Sequence, residues 1–251
     1  MPRFKLTIEY DGSGYAGWQK QPDVPTIQQA LEEAVERFCG TRCEVVGAGR
    51  TDAGVHATGQ VAHVDLPKDY EPYKVMQGLN FHMMESAPSI AVLEAVAVPD
   101  DFHARFSATK RYYRYRITNR RARVAIDLGR AWQVGEPLDI AAMHEGAAHL
   151  IGHHDFTSFR DSECQAKSPK KTLESLEITQ SGEDVTITTH ARSFLHHQVR
   201  NMVGTLVLVG KGRWHPDEVK KALDAKDRAA AGPTAPPDGL YLTRVEYAEK
   251  S

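Results

Sequence analysis

Apolar and polar positions follow two rhythms along this chain, a period of two in some stretches and of 3.6 in others, and the order of these stretches occurs twice. Phe4-Lys5-Leu6-Thr7-Ile8-Glu9-Tyr10 alternates strictly and predicts a strand. After Thr26 the rhythm changes: Ile27, Ala30, Leu31, Ala34, Val35 and Phe38 form one apolar stripe of a helix. Thr26 and Gln29 make a capping box at its start, and Gly40 ends it. Two strands follow, near 43–46 and 60–66, then a helix from Pro72 to about Met84 and a strand over 90–98. The order is βαββαβ.

The second half reads the same way. A strand is expected over 111–118, a helix capped by Asp139 and running to Gly152, strands over 172–179 and 185–191, helices over 196–209 and 217–223, and a last strand over 240–247. This ferredoxin-like order recurs without any residue-level repeat. The fold expected is therefore α+β, with two ferredoxin-like halves at 1–107 and 108–251. Their sheets would join side by side into an extended, mainly antiparallel sheet with a central cleft, where a loop of one half faces the other.

Composition narrows the setting. The 251 residues are 41% hydrophobic and 25% charged, enough for one large domain or two compact halves with real cores. The start, Met1-Pro2-Arg3-Phe4-Lys5, lacks the apolar core of a signal peptide, and the longest apolar run, Met202 to Val209, is far too short for a bilayer. A soluble, cytoplasmic protein without membrane contact is expected. Cys39, Cys43 and Cys164 are too few and scattered for a disulfide framework, and Cys39-x3-Cys43 has no second pair to complete a zinc site. They read as reduced and structural.

Formal net charge is only −2, yet the positive charge is concentrated. From Lys110 to Arg123 there are seven basic residues in fourteen positions and no acid: Lys110, Arg111, Arg114, Arg116, Arg120, Arg121 and Arg123. Tyr112, Tyr113 and Tyr115 are interleaved with them. Cations for phosphates beside aromatic faces for unstacked bases suit looped or single-stranded RNA, and a solvated strand face is the plainer alternative. Lys167-Ser168-Pro169-Lys170-Lys171 could add a second phosphate contact.

The chemistry concentrates in Gly47-Ala48-Gly49-Arg50-Thr51-Asp52-Ala53-Gly54-Val55-His56-Ala57. Glycines on both sides let the backbone approach a ligand, and Arg50 favours the ionised carboxylate, a plausible setting for Asp52 as nucleophile. The same pattern also fits a surface turn in which Asp52 bonds its own backbone. On the apolar stretch 196–209, Arg200 requires a carboxylate partner if buried, and either Asp52 or a structural acid would serve. Gly204, one turn on, allows a close approach to that face. Gly47-x-Gly49 lacks the third glycine of a dinucleotide fingerprint, and neither a phosphate loop nor a Ser-centred nucleophile elbow is present. His153-His154-Asp155 and His196-His197 resemble metal ligands in composition alone, since adjacent helical histidines point to different faces, so no metal is expected.

These blocks carry a family resemblance. Gly49 to Ala57 resembles the catalytic loop of the tRNA pseudouridine synthase A family. The match continues in order through Phe102-His103-Ala104-Arg105-Phe106-Ser107-Ala108 into Tyr113-Arg114-Tyr115, Asp155-Phe156-Thr157-Ser158-Phe159, Phe194 to Gly204, and Gly239-Leu240-Tyr241-Leu242. The resemblance implies the pseudouridine synthase fold and a cofactor-free isomerisation of uridine to pseudouridine at positions 38 to 40 in the anticodon stem-loop of tRNA. It makes Asp52 the nucleophile or the group that drives glycosidic cleavage. It also implies that Tyr113 stacks on the base and helps remove the C5 proton, that Leu240 lines the base, and that Arg50 and Arg200 orient Asp52 or the flipped nucleotide. Lys110, Arg111, Arg114 and Lys170 would meet phosphates, and the enzyme would be a homodimer. The sequence departs little from the family pattern: Gln198 stands where a bulky apolar residue is common, and Tyr112 adds an aromatic beside Tyr113. The rival reading is a noncatalytic RNA-binding module of paired ferredoxin-like halves, against which a carboxylate facing phosphates argues.

Overall fold

The computed structural model describes residues 1–248, which form two compact α+β units. The first holds Met1–Thr109 together with the chain from Tyr241, and the second is Lys110–Leu240. That division falls within two residues of the junction expected at 107/108, while the chain from Tyr241 packs with the first unit.

The first unit contains β1 (Arg3–Tyr10), α1 (Ile27–Cys39), β2 (Val45–Gly47), β3 (His56–Asp65), α2 (Pro72–Met83) and β4 (Ile90–Val98). β1 lies between β4 and β3 and is antiparallel to both, and β2 pairs antiparallel with β3, the ferredoxin-like arrangement. The late strand β10 (Leu240–Tyr247) adds to β3 in parallel, with Tyr241 opposite His56 and Leu242 opposite Ala57. Alternation in β1 sends Phe4, Leu6, Ile8 and Tyr10 inward. α1 buries Ile27, Leu31, Ala34 and Val35 against them, and α2 adds Val75, Leu79 and Met83. Each Val, Leu, Ile, Phe or Met among them contributes about 1.5–3 kcal/mol on burial. Half of the expected capping box of α1 forms, with Thr26 Oγ1 accepting the Gln29 N–H at 3.4 Å while the Gln29 amide donates to Glu33 at 2.9 Å, and Gly40, at φ +73°, donates to the Glu36 carbonyl as expected.

The second unit contains β5 (Ala108–Asn119), β6 (Trp132–Val134), α3 (Ile140–Ala148), β7 (Gly152–Asp155), β8 (Lys170–Ser181), β9 (Asp184–Ala191), α4 (Gln198–Gly210) and α5 (Asp217–Ala225). Its sheet runs β5-β9-β8-β7, antiparallel throughout, with β6 parallel to the end of β5. β6 and β7, with three and four residues, are too short to show a period, and they escape the sequence reading. The chain expected to continue α3 to Gly152 instead turns into β7. α4 is buried along all but Arg200 and Leu208.

Cys39, Cys43 and Cys164 are free thiols. Burial, and then Cys39, pushes the Cys43 thiol up to about 11, so it stays protonated as a core group. Among the described residues, no helix is long and apolar enough to cross a membrane.

Candidate active site

Asp52 lies where the sequence placed it, in the loop between β2 and β3 of the first unit. The loop is tied down on both flanks. Before Asp52, the Trp18 N–H donates to the Thr51 carbonyl at 3.0 Å, Thr51 Oγ1 lies 2.8 Å from the Tyr10 hydroxyl, and Gln60 Nε2 donates to the Gly49 carbonyl at 2.8 Å. After it, the Gly54 N–H reaches the Tyr15 carbonyl at 3.3 Å. Asp52 itself heads a four-residue turn closed by the Val55 N–H on the Asp52 carbonyl at 3.1 Å, with Gly54 at φ +77°. Gly17, at φ +96°, runs so close that a Cβ there would sit 2.6 Å from the Thr51 carbonyl oxygen. Asp52 is half-buried and Arg50 is exposed.

His56, in the same motif, proves to be a buttress, a role the sequence did not reveal. It is 1% exposed, accepts the Gly12 N–H at Nδ1 over 3.1 Å, and stacks on Tyr241 with ring centroids 4.7 Å apart. The polar run His56-Ala-Thr-Gly-Gln60 hides the start of β3 from any hydrophobicity pattern. Its buried polar groups are nevertheless hydrogen-bonded.

The other candidates lie in the second unit. On β5 the three tyrosines have three fates. Tyr115 is fully buried, its hydroxyl donates to the Pro236 carbonyl at 2.7 Å, and burial pushes its pKa far above the usual phenol range. Tyr112 stacks on His190 at 4.8 Å, while Tyr113 keeps partial exposure with its ring edge-on to Phe194 at 5.1 Å. The basic run is largely engaged within the protein. Lys110 pairs with Glu174 at 2.7 Å, the buried Arg111 donates to the Arg192 carbonyl at 2.7 Å, Arg116 meets Asp127 at 3.0 Å, and Arg120 meets Glu183 at 2.9 Å. Arg114 is half-buried; Arg121, Arg123 and Lys170 are exposed. Leu240, only 5% exposed, is a core residue at the head of β10.

Arg200 projects from the first turn of α4, with Nε donating to the Ala235 carbonyl at 2.8 Å while its own carbonyl accepts the Ala235 N–H at 3.1 Å. The start of that helix corrects one expectation. α4 begins at Gln198, and His197 stands before it at φ +60°, so the His196 and His197 rings do not diverge; their centroids are 3.9 Å apart. His197 Nδ1 lies 2.7 Å from Asp161 Oδ2. The Glu163 N–H first, and His197 as well, hold the Asp161 carboxyl below the usual range against the opposing effect of burial. His153 and His154 sit on β7, where they bond to the Thr172 hydroxyl at 3.0 Å and the Ile151 carbonyl at 2.8 Å.

A family model described as tRNA pseudouridine synthase matches residues 6–107 and 147–248. The chain belongs to this family. Its members are isomerases that act on tRNA, and the reading of the chain as a tRNA-modifying isomerase stands on that membership. The synthase is 58% identical to tRNA pseudouridine synthase A of Bradyrhizobium sp. (strain BTAi1 / ATCC BAA-1182) over 98% of this chain and 100% of that one. It is 59% identical to the protein of that name from Afipia carboxidovorans at the same coverages. Against that of Rhodospirillum rubrum it is 58% identical over 98% of this chain and 88% of the other. The family model passes over 108–146, which carries Lys110, Arg111, Tyr113 and Arg114; the full-length relatives span it. Among solved structures, a Cbf5-Nop10-Gar1 complex aligns with 97% of this chain and 59% of that chain at 9% identity and a TM-score of 0.37, a likeness too loose to bear on residue roles.

Proposed function

We propose that this synthase isomerises uridine at positions 38 to 40 in the anticodon stem-loop of tRNA, with Asp52 as nucleophile. The observation that carries the reading is the Asp52 loop. Its backbone is bonded to its own unit before and after the carboxylate, so a half-buried Asp52 is held in one place, as a nucleophile needs and a solvated surface turn does not. In the reaction the bond from C1′ to uracil N1 breaks, the base turns, and a bond from C1′ to C5 replaces it. The C5 proton leaves and N1 gains one, so there is neither redox change nor net hydrolysis. Water must be kept from the detached base, since its attack would give hydrolysis instead.

Tyr113, partly exposed on β5, receives the flipped base and assists loss of the C5 proton, while Arg50 and Arg200 orient Asp52 or the nucleotide. Leu240 supplies apolar surface to the base. Lys110 and Arg111, held by Glu174 and the Arg192 carbonyl, act on RNA through what remains of their charge, and Arg114 and Lys170 contact phosphates. A homodimeric state, as the family likeness implies, and a cytoplasmic location belong to the same proposal.

The test uses unmodified tRNA tritiated at uridine C5. Wild-type protein is expected to release label into water at anticodon stem-loop sites, with or without a chelator, and Asp52→Ala to lower kcat by about a thousandfold or more while still binding tRNA. No release by either protein, with tight binding by both, would leave a noncatalytic RNA-binding module.

A further inference from the structure

In the second unit, the polar contacts that meet at Asn201 serve no role described so far. Asn201 follows Arg200 on α4 and is fully buried. Its Oδ1 accepts from Arg228 Nη2 at 3.1 Å and from Thr234 Oγ1 at 2.6 Å, and its Nδ2 donates to the Phe159 carbonyl at 2.9 Å. Arg228 also donates to Thr234 Oγ1 at 3.0 Å and to the Gly232 carbonyl at 2.9 Å. The Gly232 N–H donates to Thr205 Oγ1 at 2.9 Å, and that hydroxyl donates in turn to the Asn201 carbonyl at 2.8 Å. A strap from Arg228 to Ala235, irregular after a 3-10 turn at Arg228–Ala230, is thereby laced across one face of α4. Its foot is anchored where the Asp227 N–H donates to Ser158 Oγ at 2.9 Å.

Apolar packing alone would hold a strap against a helix. A network that immobilises a guanidinium and a buried amide adds little net stability for the desolvation it requires; what it fixes is geometry. The geometry fixed here is that of Ala235, the residue after Thr234, whose N–H and carbonyl grip the backbone and Nε of Arg200. We propose that Arg228, acting through Thr234 and Asn201, is a positioning residue that sets the orientation of the Arg200 guanidinium and so governs the chemical step rather than tRNA binding. This rests on the reading of Arg200 as a site residue.

The experiment measures kcat and KM for tritium release from tRNA with full-length Arg228→Ala, Arg228→Lys, Thr234→Val and Arg200→Ala, with thermal melts to report the folded fraction. Thr234→Val removes one hydroxyl with little change of shape and keeps the test open should Arg228→Ala fail to fold. The expected result is a fall in kcat of about tenfold for Thr234→Val and more for Arg228→Ala, with KM within about twofold, because a small misplacement acts on the reacting geometry. Arg228→Lys, which can keep one of the contacts that Arg228 makes with Asn201, Thr234 and Gly232, should recover part of the loss. Unchanged kcat in folded Thr234→Val and Arg228→Ala, or losses that track only the folded fraction, would overturn the proposal while an impaired Arg200→Ala left the reading of the site intact. Full activity in Arg200→Ala would overturn both.

Discussion

His63 shows how one buried side chain sets a pH limit on this protein. It is 5% exposed, and its Nδ1 accepts the Ala104 N–H at 3.2 Å, a role open only to the neutral ring. Burial, then Arg3 and His103, lower its pKa to about 4. Between about 6.5 and 4 the unfolded chain binds a proton at this histidine that the folded chain refuses, so stability is full above 6.5 and falls as the pH drops through that window. The loss attributable to His63 is about 3 kcal/mol. Urea midpoints between pH 7 and pH 4 should show the decline, and His63→Gln should flatten it. Asp65 acts in a lower window: its hydrogen bond with Arg3 holds the carboxyl below the usual range, so its contribution persists until the pH falls further.

At the scale of elements, α4 and the strap across it decide the sign of a substitution. In an ordinary helix Gly→Ala stabilises by about 1 kcal/mol. At Gly204 a Cβ would lie 1.8 Å from the Pro233 carbonyl oxygen, backbone that cannot step aside alone. Gly204→Ala should therefore destabilise by about 1–3 kcal/mol despite its better helix propensity, as a denaturant midpoint would report. The sequence showed that Gly204 allows a close approach, but not that the strap makes it. The elements that periodicity revealed were those with a continuous apolar face, such as β1 and α1, whose capping at Thr26 and Gly40 was also legible. The missed ones carry their information elsewhere: β7 is Gly-His-His-Asp, the start of β3 is polar, and the strap has no period at all. For the candidate site, the loop that carries Asp52 was readable because glycine spacing is local. The strap around Arg200 was not, since Asn201, Arg228 and Thr234 meet only through long-range contacts between polar residues of ordinary appearance.

For the whole molecule, the question is how a chain of net charge −2 holds a polyanion. With Lys110, Arg116 and Arg120 each paired to a carboxylate and Arg111 buried, few cations of the long basic run face solvent alone, and Arg121 and Arg123 are the exposed members. Each phosphate contact should contribute about 0.7–0.9 to the slope of log affinity against log salt. Arg121→Ala with Arg123→Ala should weaken tRNA binding and flatten that slope by about 1.5, leaving kcat at saturating tRNA unchanged, as filter binding over a salt series would measure. The pairing of Tyr241 with His56, just after the Asp52 loop, bears on synthesis as well. A ribosome delivers β3 early and β10 late, so the His56–Ala57 end of that margin, which β2 does not reach, stays open in the nascent chain for most of its translation, and an open strand margin recruits foreign strands.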